Sequence, residues 1–196
     1  EIMPSLVGSE MCIRDRIKMT QHDYLILHGV NLNMFGRRDP AVYGTATLDD
    51  INNALRHLAS QMDVTLDFYQ SNYEGALVDR IHKALTDGTR GVVINAGAWT
   101  HYSYALLDAL DILHCPVVEV HMSHVQGRES FRHQSVIAPA CCGCIEGFGS
   151  NSYLLGLMAL DHVVREREAG KAGARTGKPE QTGPGQCIFS VCHEIS

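Results

Sequence analysis

No uninterrupted apolar run in this chain reaches the ~18 residues of a membrane-spanning helix. No basic segment followed by an apolar core and a small-residue cleavage site marks a secretory leader. Charge is sparse as well: Asp, Glu, Lys and Arg make up 19% of the 196 residues, and the formal net charge is −6. A chain so short of positive charge is a poor nucleic-acid binder, so the expected partners include neither a nucleic acid nor a membrane. Seven cysteines are present, yet Cys141, Cys142 and Cys144 (CCGC) have no second CxxC and no Cys/His partner at zinc-finger spacing. No metal and no cofactor is therefore expected. The thiols read as reduced, buried small hydrophobes of a cytoplasmic protein.

What is present fits one domain. Apolar residues reach 45%, enough for a substantial single core at this length. The two ends differ from the middle. Residues 1–21 lack periodicity, and SLVGSEMCIRDR resembles translated adapter read-through, so a non-native-looking or disordered extension is expected there. Residues 169–196, which open with AGKAGARTGKPEQTGPGQ, are rich in Gly, Pro, Lys and Thr, the composition of a disordered tail. The domain is expected over 22–168.

Within it, apolar runs alternate with helical patterns. YLILHG, VTLDFY, GVVINA, CPVVEVH and, more weakly, GCIEGFG read as short strands. Helical periodicity covers Leu48–Gln61, Gly75–Thr86, His101–Leu113 and Asn151–Arg167, with Thr47 as N-cap of the first. The apolar faces are Leu48, Ile51, Leu55, Leu58 and Met62; Leu77, Ile81 and Leu85; and Leu106, Leu107, Leu110 and Leu113. Strand–helix alternation implies right-handed crossovers and a parallel sheet covered on both faces. The expected fold is α/β, a flavodoxin-like three-layer sandwich with a five-stranded parallel sheet of order 2-1-3-4-5. Ligands of such sheets bind beyond the strands' carboxyl ends, at the switch point between strands one and three. Asn31, Asn95 and His121 fall at or just after the ends of strands one, three and four.

The polar clusters at those ends carry chemistry. NLNMFGRRDPAVYG places Arg38 five residues before Tyr43 in a glycine-bounded loop, long enough to close as a lid. A phenol with a reference pKa near ~10 acts as a base only if its anion is stabilised, which a guanidinium does. Taken alone, the loop reads better as a tyrosine packed under it with solvated arginines; the other clusters shift that reading. EVHMSHVQGRESFRH puts Glu119 and His121 on one side of a strand, where a carboxylate orients an imidazole for proton donation. Met122 and Ser123 come next, offering N–H groups and a hydroxyl to a substrate carboxylate. In INAGAWTH, Asn95 and His101 set an amide at a strand end and an imidazole at a helix start, neutral donors for an oxyanion or enolate. Arg37, Arg38, Arg128 and Arg132 give an acidic chain a local positive field suited to a small anion.

In order, GVNLN, GRRDPAVYG, QSNYEG, INAGAWTH and EVHMSHVQGRESFRH resemble the successive motifs of type II 3-dehydroquinate dehydratases, over roughly Tyr24 to Arg167. The resemblance implies reversible, metal-free dehydration of 3-dehydroquinate to 3-dehydroshikimate through an enolate, in the shikimate pathway or quinate catabolism. It also implies a dodecamer of trimers. On this chain it makes Tyr43 the base, Arg38 its activating cation and His121 the acid. It assigns substrate binding to Asn31, Asn95, His101, Asp108, Met122, Ser123 and Arg132, with Glu119 and Arg128 in support. Asp108 would reach a neighbouring subunit's site. Val30, Tyr73, Trp99, His124 and Gln126 depart from the family's usual residues without removing a proposed catalytic group.

Two other uses of this fold fit less well. A flavin module needs a hydroxyl-rich phosphate loop after strand one, and GVNLNMFGRRDP contains no Ser or Thr. A phospho-receiver needs an aspartate where Asn95 stands. A catalytically dead scaffold is a third reading, disfavoured because every proposed chemical group is present.

Overall fold

The computed structural model describes residues 22–37 and 45–173, with side chains to Gly170. Five strands, β1 (Tyr24–His28), β2 (Leu66–Gln70), β3 (Gly91–Asn95), β4 (Val117–His121) and β5 (Gly143–Glu146), form one sheet. Every pairing is parallel, in the order β2-β1-β3-β4-β5. β1, β3 and β4 are buried at all five positions each. That is why they read as continuous apolar runs rather than alternating ones.

Four helices, α1 (Leu48–Met62), α2 (Glu74–Ala84), α3 (Tyr104–Asp111) and α4 (Asn151–Gly173), cover the two faces. Alternate strand residues separate into two cores. Tyr24, Ile26, Val93, Val118 and Val120 pack with α1 and α4, through Ile51, Leu55, Tyr153, Leu157 and Leu160. Leu25, Leu27, Val92, Ile94 and Val117 pack with α2 and α3, through Leu77, Ile81, Leu106 and Leu110. The expected flavodoxin-like sandwich is the observed architecture.

Helix ends obey local chemistry. Thr47 caps α1 reciprocally: its Oγ1 accepts from the Asp50 N–H at 3.1 Å, and Asp50 accepts from the Thr47 N–H at 2.9 Å. α2 stops at Ala84, so Leu85 turns outward, 43% exposed, instead of joining the apolar face. α3 starts three residues later than expected, because Ser103 caps it by accepting from the Leu106 N–H at 3.0 Å. His101 therefore closes a separate 3₁₀ turn, Gly97–His101. α4 runs to Gly173, past the helix end expected at Arg167, since Arg, Glu, Ala and Lys after Val164 are good helix formers.

At the switch point the loops after β1 and β3 touch. A Cβ at Gly29 would drive into the Ala96 backbone, and Gly97, at φ +64°, lies against the Val30 carbonyl. Gly29→Ala should cost about 1–3 kcal/mol, read as a lower denaturant midpoint. Gly75→Ala, in α2 with nothing within 4 Å of the new carbon, should raise stability by about 0.5–1 kcal/mol. Equal effects of the two would mean that the β1–β3 approach does not limit packing.

Candidate active site

The loop after β1 rises through Asn31 in the left-handed region (φ 64°), a conformation asparagine tolerates better than most residues. Its backbone N–H donates to Asn72 Oδ1 at 2.8 Å. From β3, Asn95 is 3% exposed and its Oδ1 accepts from the Gly97 N–H at 3.1 Å. The amide nitrogen is thereby left to donate. His101 Nδ1 donates to the Gln134 carbonyl at 2.9 Å, so its Nε2 faces outward as an acceptor. His101 thus closes a 3₁₀ turn instead of standing at a helix start, as the sequence pattern had suggested, and its Nδ1 is already engaged.

β4 delivers the chemical centre. Glu119 is fully buried. Its carboxylate accepts from Thr100 Oγ1 at 3.0 Å, from Ser135 Oγ at 3.0 and 2.9 Å, and from His121 Nε2 at 2.7 Å. Because a carboxylate only accepts, His121 carries its proton on Nε2, and Nδ1 is the nitrogen left to act on a ligand. Beyond β4, Arg128 Nη1 donates to Ser123 Oγ at 3.3 Å, and Arg132 pairs with Glu129 at 2.9 Å. The Glu129 backbone N–H, then Arg132 and Arg128, hold that carboxyl below the usual range.

These side chains converge. Asn31, Asn95, His101, His121, Met122, Ser123, Arg128 and Arg132 line one cleft of about 220 Å³ at the carboxyl ends of β1, β3 and β4. Glu119 stands behind it, in a second recess that His121 also lines. Asp108 is exposed on α3 and lines neither. Arg38 and Tyr43 lie outside the described residues. Sequence reasoning missed Thr100 and Ser135, which anchor Glu119, and the backbone at Gly97 and Ala98, which lines the cleft. Nothing in their residue types singled them out.

The thiols depart from expectation. Cys115, Cys141 and Cys142 are only half-buried, and Cys144 is exposed. Linear spacing did not bring these groups together, but strand register does: a Glu119 carboxylate oxygen, a His121 ring nitrogen and Cys144 Sγ lie within 4.8 Å of one another.

Comparison with known proteins agrees with this geometry. A sequence profile described as dehydroquinase class II matches residues 22–161. The chain belongs to the class II dehydroquinase family. A 3-dehydroquinate dehydratase of Leptothrix cholodnii is 54% identical over 146 residues, 74% of this chain and 98% of that protein. One of Syntrophotalea carbinolica is 52% identical over 141 residues, 72% of this chain and 95% of the relative. The crystal structure of a type II dehydroquinase from Butyrivibrio crossotus superposes with a TM-score of 0.70 at 40% identity, covering 72% of this chain and 99% of the other.

This class II dehydroquinase carries a second polar line behind Asn95. The Tyr153 hydroxyl donates to His28 Nδ1 at 3.0 Å, and His28 Nε2 donates to Asn52 Oδ1 at 2.9 Å. Burial lowers the His28 pKa from 6.5 to about 4. The folded protein thus holds His28 neutral, whereas the unfolded chain binds an extra proton below pH ~6.5. This contribution is whole above that pH and is lost as pH falls toward about 4, by up to about 3 kcal/mol. Unfolding free energy should therefore drop between pH 6.5 and 5, above the carboxylate range, and His28→Asn should flatten that slope. An unchanged slope would mean that His28 does not titrate in this window.

Proposed function

We propose that this chain is a 3-dehydroquinate dehydratase, converting 3-dehydroquinate reversibly to 3-dehydroshikimate by loss of water. The observation that carries the reading is one cleft lined by His121, on its buried carboxylate, together with two amides, a second imidazole, a serine and two arginines. An anionic, polyhydroxylated ring has a counterpart there for each of its groups. The named relatives in the same family support the choice of substrate.

The Tyr43 phenolate, held anionic by Arg38, removes a proton from the carbon beside the ketone. The electron pair moves onto the carbonyl oxygen, and the enolate is held on the Asn95 side with Asn31. Collapse of the enolate breaks the bond to the β-hydroxyl, which takes the Nδ1 proton of a doubly protonated His121 and leaves as water, while the ring keeps its Nε2 proton toward Glu119 and becomes neutral. Glu119 steadies the charged ring, and proton exchange between Tyr43 and His121 restores both groups. His101 Nε2 and Arg132 bind ring hydroxyls. The Met122 and Ser123 backbone, with the Ser123 hydroxyl steadied by Arg128, binds the carboxylate. Neither metal nor cofactor takes part. The reaction serves aromatic biosynthesis through the shikimate pathway or quinate breakdown, in a cytoplasmic dodecamer of trimers where Asp108 completes a neighbour's site.

Among the described residues no helix is long and apolar enough to cross a membrane.

The direct test is enone absorbance on adding 3-dehydroquinate to EDTA-treated protein; no turnover, or turnover that needs added metal, rejects the proposal. Tyr43→Phe should leave under a tenth of wild-type kcat, a loss above ~1.4 kcal/mol, and greater retention removes Tyr43 as the base. Asp108→Ala should lower activity, and co-refolding it with Tyr43→Phe should restore part, because some mixed sites join an intact Tyr43 to an intact Asp108. Activity no higher than dilution predicts would place Asp108 outside any shared site.

A further inference from the structure

The β4–β5 register sets Glu119 beside Cys144 and His121 beside Glu146. Neighbouring residues of paired strands share a sheet face, as do residues two apart along one strand. These four side chains therefore form a two-by-two patch, and all of them line the recess of about 320 Å³ next to the substrate cleft. A carboxylate oxygen, an imidazole nitrogen and a thiol sulfur within 4.8 Å are donors of the kinds that zinc takes. With bonds of about 2.0–2.3 Å, tetrahedral zinc sets its ligands about 3.5 Å apart, so small side-chain movements close the set around one ion. Thr100 and Ser135 already fix the Glu119 carboxylate, the support that metal ligands ordinarily have in their surroundings.

Two carboxylates, Glu119 and Glu146, stand next to Cys144 and His121 in the strand register, and Arg132 and His133 line the same recess. On binding, Cys144 gives up its proton to solvent and its sulfur bonds to the metal. His121 gives up the Nε2–H bond to Glu119, its Nε2 lone pair bonds to the metal, and its proton resides on Nδ1 or leaves.

The geometry points to an inhibitory site for a thiophilic divalent cation such as Zn²⁺, formed by Glu119, His121 and Cys144, which occupies the imidazole that the dehydration needs. Its inhibitory consequence rests on the dehydratase reading; the binding does not. A metal on Nε2 separates His121 from Glu119 and removes the carboxylate's support for the charged ring. Turnover should fall through kcat, and substrate at saturation should not reverse it.

Cobalt(II) reports the ligand set without any assay. Titrated into the reduced, EDTA-stripped and buffer-exchanged full chain, it should give a thiolate-to-cobalt charge-transfer band in the near ultraviolet at one equivalent. Zn²⁺ should abolish that band and inhibit the enzyme over the same concentration range. Cys144→Ser and Cys144→Val should keep wild-type turnover without metal, lose the band, and need at least tenfold more Zn²⁺ for half inhibition; Cys141→Ser should behave as wild type. The proposal is overturned if wild type shows no band, or if both Cys144 variants keep the band and the zinc sensitivity. If metal-free protein shows no dehydration, the functional reading falls, while the cobalt band still decides the site.

Discussion

A carboxylate with no exposed surface holds this site together. Glu119 sits on a central strand where an unpaired charge would cost several kcal/mol. It is tolerated because Thr100, Ser135 and His121 all donate to it. Those donors come from the turn after β3, from the long segment after β4 and from β4 itself, so burying the charge requires all three segments to be in place. Removing one donor leaves a buried acceptor short, which costs more than the bond contributed. The folding requirement and the positioning of His121 are the same set of contacts.

The sheet divides the rest of the polar chemistry. Alternation along β4 turns Glu119 and His121 toward α2 and α3, while His28 and Asn95, at the ends of β1 and β3, share the opposite face with α1 and α4. There Tyr153 and Asn52 satisfy His28. Among the described residues no buried side-chain polar atom lacks a partner. Each face thus carries its own closed line of hydrogen bonds. The two meet only at the carboxyl ends of the strands, and the cleft takes Asn95 from one and His121 from the other.

How much of this could be read from the chain depended on how local each signal was. Unbroken apolar runs ending in Asn95 and His121 located the strands and the edge where ligands bind, because a strand buried on both faces has to be apolar until it emerges. Thr47 marked a helix start through its own side chain. His101 misled because periodicity cannot see that Gly97 turns the chain into a 3₁₀ segment and that Ser103 starts α3 afresh. Leu85 fitted the apolar period, but its helix had already ended. Thr100 and Ser135 were invisible, since nothing in a hydroxyl's neighbours along the chain tells which carboxylate it will meet. Cys144 was set aside for the same reason: spacing along one strand does not reveal a partner on the next.

His121 lines two adjoining hollows. One also holds Arg128 and Arg132; the other holds Glu119, Cys144 and Glu146, and Arg132 is shared between the two. The Glu119 carboxylate accepts the His121 Nε2–H at 2.7 Å, which fixes the ring's orientation and leaves Nδ1 as the nitrogen without that partner. Cys144 stands beside Glu119 in the strand register, so the recess side of the ring meets a thiol as well as a carboxylate. The same two-residue spacing on β4 that joins Glu119 to His121 therefore gives the ring both its carboxylate and its place between the two hollows.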